Sequence, residues 1–167
     1  MGHKEHKDIS PRTVNCAVLT ISDSRTEATD ESGRFIIKAL EDSGHRVTAR
    51  GIIRNSADTI GNRLAELLAD DAVEVIITSG GTGASHRDVT VETVNPILEK
   101  KMDGFGELFR YLTYQEIGTP SIMSRALGGI ARGKVILCLP GSTGAARLAL
   151  EKIILPELGH LVHEANR

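Results

Sequence analysis

The residues best suited to chemistry lie in one run, Thr78-Ser79-Gly80-Gly81-Thr82-Gly83-Ala84-Ser85-His86-Arg87-Asp88-Val89-Thr90. The run follows Val73-Glu74-Val75-Ile76-Ile77, which reads as a buried strand. A strand that ends in Ser, Gly and Thr lets backbone N–H groups approach a ligand closely, because glycine has no Cβ to block the way. Such a loop favours anions, phosphates above all. Asp88 then stands where a phosphate-bound metal can use a carboxylate. Together these features point to nucleotide or phosphate-ester chemistry. Generic nucleotide motifs do not explain the loop. No GxxxxGK(S/T) occurs, and the first strand ends in Ser22-Asp23-Ser24 rather than a GxGxxG turn.

The elements that must position this loop follow from hydrophobic periodicity. Residues 13–21 (TVNCAVLTI) read as a strand, and a helix is expected from Glu31 to Ser43, stopped by Gly44. A second strand runs from Arg46 to Ile53. Ser56 caps a helix to about Asp70, with Ile60, Leu64, Leu67 and Leu68 on one face. The third strand precedes the Gly-rich loop, and Thr90 is expected to cap a short helix through Lys100. Residues 104–133 read as a helical stretch punctuated by glycine. Lys134 to Leu139 is the fourth strand, ending in Pro140-Gly141-Ser142-Thr143-Gly144, and a long helical region closes the chain with a fresh turn at Pro156. This alternation predicts an α/β fold, a mostly parallel sheet flanked by helices in three layers, Rossmann-like. Three small, hydroxyl-rich loops end three strands. With the strands in the order 2-1-3-4, all three line one crevice at the point where strand order reverses.

Bulk properties fit one domain. The chain has 167 residues, 40% of them apolar and 25% charged, with a net charge of −2. That charge gives no general affinity for nucleic acid or acidic membranes. Aromatics are only 3% with no Trp, against a base-stacking platform. No apolar run approaches the ~20 residues of a membrane span. Residues 1–12 read as a loose polar arm and 13–167 as a single domain. Cys16 and Cys138 sit alone in apolar runs, as reduced thiols of a cytoplasmic protein do. The six histidines form no metal-ligand pattern.

Five stretches carry a resemblance: ISDS (21–24) with DESG (30–33), TSGGTGASHRDVT (78–90), GFGELFR (104–110), EIGTPSIMSRALGG (116–129) and LPGSTGA (139–145). Together they resemble the MoaB/MogA family of molybdenum cofactor biosynthesis proteins, related to the G domain of gephyrin, and the MoaB branch most. The resemblance implies adenylylation of molybdopterin by Mg-ATP, giving adenylyl-molybdopterin and pyrophosphate. The alternative is a MoaB-type protein that binds molybdopterin without transferring anything.

The resemblance also implies roles. Asp88, in RDVT, would position metal and phosphate, or cap the following helix. Ser79, Gly80, Gly81, Thr82 and Gly83 would meet phosphates or the pterin side. Ser22 and Asp23 belong to the first family loop; Asp23 either binds ligand or caps the turn. Pro140, Gly141 and Ser142 match the PGS turn expected at the molybdopterin phosphate. Ser124 and Arg125 match the family's SR pair, with an interface salt bridge as the other role for Arg125. Arg87 is a candidate phosphate partner, while Glu107 and His86 are weaker candidates. One departure stands out. Many family members carry an acidic residue after the second strand, in a V-P-D-D/E pattern, where this chain has Ile53-Arg54-Asn55-Ser56. Asn55 occupies the place of the second catalytic aspartate; its carbonyl can coordinate but brings no charge. Asp58, one helical step on, is the possible substitute. The family further implies a homo-oligomer, a trimer or a hexamer of two trimers, and contact with other proteins of the pathway.

Overall fold

The structure, a computed structural model, describes residue 11 and residues 13–167. The arm expected over 1–12 lies outside the described residues except for residue 11.

 The described chain opens into β1 (Asn15–Ile21), followed by α1 (Glu31–Asp42), β2 (Arg46–Ile53), α2 (Ala57–Ala69) and β3 (Val75–Ser79). After the Gly-rich loop come α3 (Thr90–Val94), β4 (Lys100–Lys101), α4 (Asp103–Ile117), β5 (Leu127–Ala131), β6 (Lys134–Leu139), α5 (Thr143–Ala149) and α6 (Leu155–Ala165).

Among the described residues, six strands form one sheet in the order β2-β1-β3-β6-β5-β4. The pairs β1–β2, β1–β3 and β3–β6 are parallel. β5 runs antiparallel to β6, and β4 antiparallel to β5. The expected order of the four parallel strands therefore holds, with β6 as the fourth. β3 is buried along its whole length, as a central parallel strand with both faces covered must be. Its side chains alternate between two cores. Val75 and Ile77 join α1, α4, α5 and α6 through Ile36, Leu40, Phe109, Ala146 and Leu158. Ile76 joins α2 through Ile60, Leu64 and Leu67. Burying one such Leu or Ile contributes about 1.5–3 kcal/mol, so these two apolar layers are what hold the sheet between its helices.

Local signals explain most helix boundaries. Asp30 caps α1 by accepting the Gly33 N–H, and Ser56 caps α2 by accepting the Thr59 N–H. Pro156 has no N–H to offer its preceding turn, and residues Leu150–Ile154 widen into a π turn just before it. Two expectations need correction. Thr90 does not cap a helix reaching Lys100: α3 ends at Val94, and the Thr90 hydroxyl instead donates to the Gly80 carbonyl at 2.9 Å. Residues 104–133 are not helical throughout. α4 ends at Ile117, and the remainder includes β5, which pairs with β6 across a hairpin.

Cys16 and Cys138 are both free and fully buried. Burial, with Glu74 adding to it, pushes the Cys16 thiol up to about 12. Burial likewise raises Cys138 to about 11. Neither is a nucleophile near neutral pH.

Candidate functional site

The three loops at the carboxyl ends of β1, β3 and β6 meet in a crevice of about 930 Å³. It lies at the β1/β3 junction, where strand order reverses. Its volume falls in the range of ligand-binding clefts, roughly 300–1,000 Å³. Among the described residues, no group of three or more His, Cys, Asp and Glu could hold a metal ion.

The Gly-rich loop forms the floor. Gly80 has φ +109°, and a Cβ there would lie 2.3 Å from the Ile21 carbonyl oxygen, so only glycine fits. Thr90 ties the loop down: its hydroxyl takes the Gly80 carbonyl, and its N–H takes the Gly81 carbonyl at 3.0 Å. The expectation that Gly80 offers its N–H to a ligand is corrected here. That N–H donates to the Leu139 carbonyl at 2.9 Å and extends the β3–β6 ladder by one rung. The N–H groups of Gly81, Thr82 and Gly83 have no protein acceptor among the described residues. Thr82 is only 4% exposed, so its donor stands where few other partners reach it.

Asp88 packs against this floor. A Cβ on Gly83 would sit 2.5 Å from Asp88 Oδ2, so glycine at 83 is what lets the carboxylate approach. Among the described residues its carboxylate makes no hydrogen bond or ion pair, and it does not cap α3, whose first residue is preceded by an uncapped Val89. Asn55 lies on the other side of Gly81, whose Cβ would fall 2.8 Å from Asn55 Oδ1. That oxygen accepts the Val89 N–H at 3.4 Å. Asn55 thus braces the backbone next to Asp88 and lines the crevice. Asp58, the possible substitute for a second acid, is exposed and does not line it.

The first loop is held by its own polar groups. Ser22 Oγ accepts the N–H groups of Ser24 and Arg25, at 3.2 and 3.1 Å. Asp23 Oδ1 accepts the Asn55 N–H at 3.1 Å, joining the ends of β1 and β2. Asp23 therefore both lines the crevice and fixes a turn. Ser79 is 1% exposed, and its hydroxyl lies 3.4 Å from Ser32 Oγ and 3.5 Å from the Pro140 carbonyl. It belongs to a buried chain that continues to Asp30, whose Oδ2 accepts the Thr20 hydroxyl at 2.7 Å. The DESG stretch is thereby explained: a Cβ on Gly33 would lie 2.1 Å from Asp30 Oδ2.

In the third loop, Ser142 caps α5 by accepting the Ala145 N–H at 3.1 Å. A Cβ on Gly141 would come within 3.3 Å of Gly80 Cα, so the second and third loops touch backbone to backbone. Pro140, Gly141 and Ser142 all line the crevice. So does Arg87, an exposed residue whose guanidinium has no partner among the described residues. Ser124 also lines it, with a buried Oγ that lacks a hydrogen-bond partner.

Arg125 points away. Its guanidinium pairs with Glu92 at 2.5 Å, and it lines a separate depression together with Glu107. That pairing holds the Glu92 carboxyl below the usual carboxylate range. His86 does not line the crevice either. Sequence reasoning missed the opposite wall, where Phe109, Thr113 and Glu116 of α4 and Met123 beyond it face the loops. The helical periodicity of α4 was visible, but not which of its faces met the crevice.

Comparisons with known proteins place the chain. Residues 17–160 match the family model described as "Probable molybdopterin binding domain". The chain is 45% identical over 168 residues to the molybdenum cofactor biosynthesis protein B of Bacillus cereus, covering all of this chain and 99% of that protein. A crystal structure of a molybdenum cofactor biosynthesis protein B superimposes with a TM-score of 0.91 at 45% identity, covering 95% of this chain and 99% of the other. The tungsten cofactor synthesizing protein MoaB of Pyrococcus furiosus superimposes with a TM-score of 0.86 at 33% identity, covering 95% of this chain and all of the other. With the match running through all three crevice loops, this chain belongs to the molybdopterin-binding-domain family that includes the molybdenum cofactor biosynthesis proteins B.

Proposed function

We propose that the chain acts in molybdenum cofactor biosynthesis by adenylylating molybdopterin with Mg-ATP. The observation that carries this reading is the crevice floor, where the unclaimed N–H groups of Gly81, Thr82 and Gly83 lie beside the unpaired carboxylate of Asp88. Donors of this kind suit phosphate oxygens, and catalysis of phosphoryl-type transfer rests mainly on positioning and charge neutralisation. In the reaction, an oxygen of the molybdopterin phosphate bonds to the ATP α-phosphorus while the bond from that phosphorus to the pyrophosphate oxygen breaks. Pyrophosphate leaves with the electron pair. The N–H groups hold the phosphate oxygens, and Arg87 adds a cation at the rim. Asp88 would hold the magnesium that arrives with ATP, since Mg²⁺ takes one or two carboxylates along with phosphates and water. Phe109 and Met123 supply an apolar wall for a flat ring.

Asn55 favours a second reading, a protein that binds molybdopterin without turnover, because it removes one negative charge from the metal's surroundings. Adenylyl transfer decides between them. Purified protein is given molybdopterin and Mg-ATP, and adenylyl-molybdopterin is scored beside Asp88→Asn and Asn55→Asp. Turnover in the native chain that falls by at least a hundredfold in Asp88→Asn is the expected result. A silent native chain that gains activity in Asn55→Asp overturns the enzyme reading in favour of binding alone.

We further propose that the chain works as a homo-oligomer within the cytoplasm. No helix among the described residues is long and apolar enough to cross a membrane, and the outer side of α4 exposes several large apolar side chains.

A further inference from the structure

A second cleft, of about 710 Å³, opens between α1, the loop after β1 and the carboxyl end of β2. Four arginines line it: Arg25, Arg34, Arg50 and Arg54. It shares Thr20, Ser22 and Arg25 with the crevice, so the two are neighbours along the carboxyl edge of β1.

The arginines are arranged by the fold. β2 pairs with β1 through a bulge, in which Cys16 faces Val47 and Ala17 faces Ala49, leaving Thr48 as the extra residue. The bulge resets the alternation of β2. Val47 joins the α1-side core, whereas Ala49 and Ile53 join the α2-side core. Arg50, Ile52 and Arg54 consequently fall on the α1 side, toward the cleft. Arg25 and Arg34 are drawn in from the other wall. Arg25 Nη1 donates to the Thr29 carbonyl at 2.8 Å, and Arg34 Nη1 donates to the Glu27 and Ala28 carbonyls at 3.0 and 2.9 Å.

Among the described residues no carboxylate pairs with them. The cleft's two acids are Glu27 and Asp30. Glu27 forms no ion pair among the described residues, and Asp30 is buried, with its oxygens taken by Thr20, Ser32 and the Gly33 N–H. Arg50 and Arg54 have no hydrogen bond or ion pair among the described residues. By contrast, Lys38 on α1 pairs with Asp42. Guanidinium groups gathered without counter-charge suit a polyvalent oxyanion, which they can grip through paired N–H donors.

The geometry points to an anion subsite in this cleft that takes the pyrophosphate moiety of a nucleotide, both before transfer and as the departing group. The assignment rests on the adenylyl-transfer reading for its ligand. Arg25, the arginine common to both clefts, links the subsite to the crevice.

Inorganic pyrophosphate is the probe, titrated calorimetrically into the full chain without magnesium or molybdopterin. We expect saturable binding that weakens at high salt, falls at least tenfold in Arg50→Gln/Arg54→Gln, falls less in Arg50→Lys/Arg54→Lys, which keeps the charge without the paired donors, and persists in Asp88→Asn. The glutamine pair is expected to melt close to the native chain, since neither arginine has a protein partner. No binding by the native chain, or equal binding by the glutamine pair, overturns the subsite. If pyrophosphate binding depends on the two arginines but no adenylyl-molybdopterin forms, the transfer reading fails and the anion site stands. If transfer occurs, the ATP KM is expected to rise at least tenfold in the glutamine pair, and an unchanged KM overturns the assignment to the nucleotide.

Discussion

Gly80 shows how strongly a single position can be dictated by its surroundings. Its φ of +109° and the Ile21 carbonyl that a Cβ would strike at 2.3 Å exclude any other residue without movement of β1. Gly144 is the contrast: it lies inside α5, and a Cβ there would meet nothing within 4 Å. Gly80→Ala is expected to lower stability by about 3 kcal/mol, through backbone strain and a backbone clash. Gly144→Ala is expected to raise it by about 0.5–1 kcal/mol, because alanine is the better helix former and restricts the unfolded chain. Urea unfolding midpoints of the two variants check both signs. The sequence made the glycine cluster legible, since Gly and Thr after an apolar strand signal close approach. It did not make the separate duties of its members legible. Gly80 spends its N–H on Leu139, and Asp23 accepts from Asn55, because those partners lie far along the chain and meet only through the sheet. Nor does the sequence choose between the two roles open to Arg125, since its partner Glu92 is 33 residues away.

At the scale of elements, the parallel core was readable and the antiparallel edge was not. β1, β2, β3 and β6 are apolar runs bounded by turn residues, the pattern that periodicity detects. β5 contains Gly128 and Gly129, which weaken a strand signal. The structure supplies their reason. A Cβ on Gly129 would lie 2.6 Å from the Lys100 carbonyl and from Leu98 Cδ1, and one on Gly128 would lie 3.0 Å from the Phe105 ring. Close approach of β4 and α4 to β5 therefore depends on glycine, at the expense of the pattern that would have announced the strand. The β5–β6 hairpin turns at Arg132 and Gly133, with φ of +50° and +71°. Positive φ at both central residues is the type I′ arrangement, for which Asn-Gly is the favoured sequence. The Arg132 side chain makes no hydrogen bond among the described residues; only its N–H is used, by Glu99. Arg132→Asn is expected to stabilise the chain by about 0.5–1 kcal/mol, read as a higher melting temperature, and a decrease would mean that the arginine stem packs more usefully than its exposure suggests.

For the whole molecule, the exposed apolar surface is concentrated rather than scattered. Leu108, Tyr111, Tyr114 and Ile117 are 44–59% exposed along α4, and Ile122 and Met123 extend the patch at 79% and 58%. Residues 108, 111 and 114 recur every three positions and so share one side of the helix. A contiguous apolar surface rimmed by polar residues marks an interaction site, and a second copy of the chain is the occupant the family resemblance implies. Ile117 and Met123 also line the crevice, so subunits meeting on this face would adjoin the ligand. Light scattering on the eluting protein is expected to give a multiple of the 18.0 kDa chain mass. Leu108→Asp with Tyr111→Asp is expected to shift that mass toward a single chain, because charge cannot be buried in an apolar contact without a partner. Fold is not at risk in that variant, since both side chains already face solvent while the buried side of α4 rests on Phe105 and Phe109. A native chain that elutes at 18.0 kDa, or an oligomer untouched by both substitutions, would move the interface off α4 and leave its apolar side to serve the crevice alone.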